Sequence, residues 1–74
     1  MQTDIEQRLD LKAKLLPKTG YNLVVLDDYA ETIPEELSLV KHFETLAEAN
    51  AKLARLQKAN PDTRYFIYGP NGAP

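Results

Sequence analysis

The hydrophobic positions change period along the chain. From residue 45 to 60 they recur at helical spacing, with Leu46, Ala49, Leu53 and Leu56 on one stripe. No Gly, Pro or β-branched residue interrupts positions 46–59, and strong helix formers fill nearly all of them. Thr45 and Glu48 have the spacing of a capping box. Glu44 and Glu48 place negative charge at the positive end of the helix dipole. Glu48 and Lys52 form an i,i+4 pair on the outer side. Lys58 suits the last turn, Asn60 a left-handed position after it, and Pro61 prevents continuation. The pattern predicts a helix over 45–59.

Upstream and downstream the period shortens. Residues 21–26, YNLVVL, are apolar on both faces, which suits a central strand. Residues 37–43, LSLVKHF, alternate: Leu37, Leu39 and Phe43 on one face, Ser38, Val40 and His42 on the other. Residues 64–68, RYFIY, form the third strand, and Gly69-Pro70-Asn71-Gly72 a turn before a frayed tail. Between the first two strands lies a loop, 27–36, in which Ile33-Pro34-Glu35-Glu36 fits a single helical turn.

Residues 5–16 carry two patterns. Thr3 and Glu6 are spaced as a capping box, and Ile5, Leu9, Ala13 and Leu16 share a helical face. Leu9, Leu11, Ala13 and Leu15 also alternate as a strand would. The scarcity of β-branched and aromatic residues after Ile5 favours the helix.

The expected fold is α+β with element order α-β-β-α-β. It has a three-stranded, mainly antiparallel sheet of order 2-1-3, with helix 45–59 on one face. A parallel pair of strands 37–43 and 64–68 with a right-handed crossover is the alternative. The segments are an N-terminal helical stretch, 1–18, a core domain, 19–70, and a tail, 71–74. One helix covers one sheet face, so the other needs a cover. The expected partner surface is Val24, Leu26, Val40, His42, Phe66 and Tyr68.

At 74 residues the chain is one domain, near the lower limit for a self-supporting core. It has no cysteine, so disulfides and thiolate metal sites are excluded and a reducing, cytoplasmic setting is expected. No apolar run approaches membrane-spanning length, and the first residues lack the features of a signal peptide. Net charge is −2, but residues 21–40 hold five acidic side chains and no basic one.

Candidate chemistry is sparse. Leu16-Pro17-Lys18-Thr19-Gly20 resembles the LPxTG signal cleaved by sortases, a signal that sits near a C-terminus. Here it precedes a strand and reads as a turn. Ser38, His42 and an aspartate suggest a hydrolytic triad, but i and i+4 on a strand lie ~13 Å apart. Asp27, Asp28 and Glu31 lack the spacing and Gly of a calcium loop. Arg64, Tyr65, Phe66, Tyr68 and Lys41 could stack bases, but without a basic field nucleic acid is an unfavoured partner. No cofactor, metal or catalytic set is expected. The leading expectation is a non-enzymatic protein-interaction or assembly domain that forms a homodimer. The alternative is an acidic inhibitor or immunity-type protein that occupies a basic site through Asp27, Asp28, Glu31, Glu35 and Glu36.

Overall fold

The computed structural model describes residues 3–74. The first two residues of the expected N-terminal segment lie outside the described ones. Helix α1 spans Asp4–Lys14, strand β1 Tyr21–Leu26, strand β2 Leu37–Phe43, helix α2 Leu46–Ala59 and strand β3 Arg64–Tyr68. A single 3-10 turn, Ile33–Glu35, with Pro34 inside it, leads into β2. The sheet order is β2-β1-β3, and β1 is antiparallel to both neighbours. The apolar strand thus takes the central place, and the crossover alternative is excluded.

Helix α2 forms where its stripe and caps predict. The Thr45 hydroxyl accepts from the Glu48 amide and donates to the Glu48 carboxylate. Ala49 is buried, and Leu46, Leu53 and Leu56 are half-buried against the sheet. The C-terminus departs from expectation. Asn60 keeps φ −132° instead of turning left-handed. Its amide N–H and its side-chain Nδ2 both donate to Leu56 O, which satisfies the open carbonyl without a left-handed residue.

Helix α1 is helical, not extended. The Thr3 hydroxyl accepts from the Glu6 amide, and Lys12 and Lys14 lie in the last turn. Its docked side is not the expected one. Gln7, Leu11 and Leu15 are half-buried, while Ile5, Leu9 and Ala13 are exposed. In this rotation Arg8 forms an ion pair with Glu36, with two bonds of 2.9 and 3.0 Å.

The main correction concerns β2. Leu23 pairs with Lys41, but Val24 pairs with Leu39, so Val40 is an extra, unpaired residue. Such a bulge reverses the alternation on one side of it. Residues opposite one another on antiparallel strands point to the same face. Phe43 and Lys41 therefore lie with Tyr21 and Leu23, on the face where they line a groove with Glu48, Ala51, Lys52 and Arg55 of α2. Leu37 and Leu39, expected on that face, lie instead with Leu26 and Val24 on the opposite one.

The core is thin. Among the described residues only Leu23, Val24 and Ala49 are fully buried hydrophobics. The radius of gyration is 12.6 Å, against about 11 Å for a compact chain of this length. The smallest extent is 14 Å. The molecule is a flat slab.

Candidate functional site

The sheet face opposite α2 carries Asn22, Val24 and Leu26 from β1, Arg64, Phe66 and Tyr68 from β3, and His42, Leu39 and Leu37 from β2. Helix α1 lies across it: Leu11 and Leu15 are half-buried, Val24 on this face is fully buried, and polar ties hold the end of the helix. Asn22, in the middle of an apolar strand, donates from Nδ2 to the Leu15 carbonyl at 2.8 Å. Its Oδ1 is then the acceptor, and His42 Nδ1 donates to it at 2.7 Å. The chain His42–Asn22–Leu15 ties the C-terminal end of α1 to the sheet. Gly20 allows the approach: its φ is +74°, and a Cβ there would stand 2.5 Å from the Phe43 carbonyl oxygen and 2.9 Å from His42 Cε1. The 16–20 stretch is this turn.

The Lys12 ammonium sits 5.3 Å from the centre of the Tyr68 ring. Tyr68 stacks on Phe66, with ring centres 6.3 Å apart and planes 3° from parallel. Burial pushes the Tyr68 phenol pKa upward. Ile5, Leu9 and Lys12 share one flank of α1, at i, i+4 and i+7. Lys12 of that flank reaches β3 at Tyr68, and Arg8, between Ile5 and Lys12, reaches Glu36 just before β2. The other flank, through Gln7, Asp10, Leu11 and Lys14, meets Pro34 across a shallow cleft of about 200 Å³.

The surface that results is apolar and open. Ile5 is 71% exposed, Leu9 61%, Leu39 51%, and Val40 and Phe66 38% each. Of the expected partner residues, Val40, His42 and Phe66 are exposed, and Leu26 and Tyr68 half-buried. Val24 is fully buried and contributes packing, not surface. Ile5 and Leu9 belong to the stripe of the N-terminal segment, and Leu39 to the strand face opposite Val40 and His42, so none of the three was among the expected partner residues. A polar Asn22 inside YNLVVL was the one visible sign of a tie across this face.

The acidic stretch divides. Glu36 is held by Arg8, whose hydrogen bond draws the Glu36 carboxyl below its ordinary pKa. Asp27 Oδ1 accepts from the Tyr29 amide. Asp28, Glu31 and Glu35 are exposed, and Tyr29 between them is 93% exposed. Among the described residues no group of three or more His, Cys, Asp or Glu is placed to hold a metal ion. Ser38 lies on the α2 face with Val25, whereas His42 lies on the other with Asn22, so the bulge separates them. The aromatic set is divided too, with Tyr65 on the α2 face and Phe66 and Tyr68 opposite. No helix among the described residues is long and apolar enough to cross a membrane. Comparison with family models, curated proteins and solved structures gives no match for this chain.

Proposed function

We propose that this chain is a non-enzymatic protein-interaction or assembly domain that associates with itself through the sheet face carrying α1. The observation that supports this is the exposure of Ile5, Leu9, Leu39 and Phe66 on one side of a slab with very little core. A small monomer seldom leaves such a face bare, and covering it would add the burial that the fold lacks. A two-fold homodimer is the commonest closed arrangement. Nucleic acid is a poor match for a chain of net charge −2, and a cytoplasmic setting suits one without cysteine.

Sedimentation equilibrium tests the reading. The native chain is expected to associate and to keep doing so as salt rises, because apolar contact is little screened. Leu9→Asp is expected to leave the circular dichroism spectrum intact and to shift the protein toward monomer. A native chain that stays monomeric at high concentration contradicts the proposal.

A second reading draws on the acidic loop. Asp28, Glu31 and Glu35 are exposed, Tyr29 in the same loop is almost fully so, and tyrosine is a frequent anchor at protein interfaces. In this reading the loop occupies a basic site on another protein. Binding would then fall steeply with salt and be lost in the triple variant Asp28→Asn, Glu31→Gln, Glu35→Gln, while self-association would be unchanged.

A further inference from the structure

The two outer strands meet solvent differently. β2 carries the devices that blunt an edge: the Val40 bulge breaks its ladder, and Lys41 and His42 follow at once. β3 carries almost none. Its register with β1 runs unbroken from Arg64 to Tyr68. It contains no Gly, Pro or Lys, and four of its five residues are aromatic or β-branched. Among the described residues, its backbone makes no hydrogen bond outside the β1 ladder. The chain beyond it turns back at Gly69–Gly72, and Gly72 lies near Lys12 on the α1 side.

We infer that β3 is the seam of the self-association proposed above, pairing antiparallel with β3 of a second copy about a two-fold axis at Phe66. The inference rests on that reading. The sequence of the strand is self-complementary in this register. Phe66 stands opposite its own copy, Tyr65 opposite Ile67, and Arg64 opposite Tyr68. No like charges oppose one another, and the Phe66–Phe66 and Tyr65–Ile67 pairs are of types favoured across strands. Arg64 would meet a tyrosine face as Lys12 already does. The product is a six-stranded sheet with both β3 edges removed and the bulged β2 strands outermost. Lys12 of α1 stands over Tyr68 at the end of β3, so the two copies bring their Lys12–Tyr68 contacts alongside the seam.

The absence of cysteine makes the test clean. Opposed Cβ atoms in such a ladder lie ~4.5–5.5 Å apart, within small adjustment of disulfide geometry. Phe66→Cys is expected to form covalent dimers under mild oxidation on the order of tenfold or more faster than Val40→Cys on the other edge. Sedimentation of the native chain is run beside it. Dimers in sedimentation with no advantage for Phe66→Cys overturn the seam and leave self-association standing. A monomeric native chain overturns both. If Phe66→Cys fails to fold, the native protein supplies the readout. Exchange of β3 amides should slow as protein concentration rises while that of β2 does not, and concentration-independent β3 exchange overturns the seam.

Discussion

Gly20 and Thr45 each hold one junction of the fold. At φ +74°, with the Phe43 carbonyl oxygen 2.5 Å from where a Cβ would stand, Gly20 has no substitute among L-residues. Gly20→Ala is expected to cost roughly 1–3 kcal/mol in denaturant unfolding, through backbone strain and displacement of β2. Thr45→Ala is expected to cost ~1 kcal/mol, because the Glu48 amide loses its acceptor. Thermal melts check it, and an unchanged midpoint would mean that water replaces the hydroxyl. Both residues were visible in the sequence, Thr45 through the capping-box spacing and Gly20 through the Pro-Gly turn. Asn22 was visible only as an anomaly. Nothing local says that its amide binds one carbonyl and one imidazole.

At the scale of elements, every strand and helix could be placed from hydrophobic period and caps. The order of the sheet followed from the doubly apolar β1. Two things did not follow. The alternation of LSLVKHF looks unbroken, so nothing in it announces the extra residue at Val40. The bulge is set by pairing with β1, a long-range interaction. Likewise α1 offers two apolar stripes, and the one that docks goes with Arg8–Glu36 and Asn22–Leu15, both contacts distant in sequence. Two predictions belong here. Val40→Ala should change stability by less than ~0.5 kcal/mol, since the side chain is surface-exposed. Deleting Val40 should remove the bulge and keep Leu37 and Leu39 on the face of Leu26 and Val24, because Leu39 and Lys41 then follow one another opposite Val24 and Leu23 as a regular ladder requires. Amide exchange across β2 distinguishes a shifted register from a simple loss of stability.

The second concerns acid. Glu36 has a folded pKa below its ordinary 4.5, chiefly through the Arg8 hydrogen bond. The unfolded chain therefore binds a proton more readily than the folded one. The stabilisation is present above the unfolded value and is lost as pH falls through the folded value. Melting midpoints of the native chain should drop more steeply below about pH 4.5 than those of Glu36→Gln. Parallel slopes would show that the pair contributes nothing, as many exposed pairs do.

For the molecule as a whole, the α+β architecture and its 2-1-3 sheet were readable, whereas the slab shape and much of the exposed apolar surface were not. Phe66, His42 and Val40 were named from strand parity. Ile5, Leu9 and Leu39 emerged only once the rotation of α1 and the bulge were known. The manner in which α1 is attached has a thermal consequence. No residue of α1 is fully buried, and its identified ties are an ion pair, a side-chain amide and an ammonium over a ring. Helix α2 rests instead on an apolar stripe. Yet Val24, on the sheet face that α1 crosses, is fully buried, so lifting α1 exposes apolar surface and its opening should carry a measurable heat capacity and denaturant slope. Apolar burial weakens on cooling. Near freezing, in mild denaturant, the amides of α1 and α2 should therefore lose protection together, and amide exchange that opens one helix well before the other would show that the two are held by different forces.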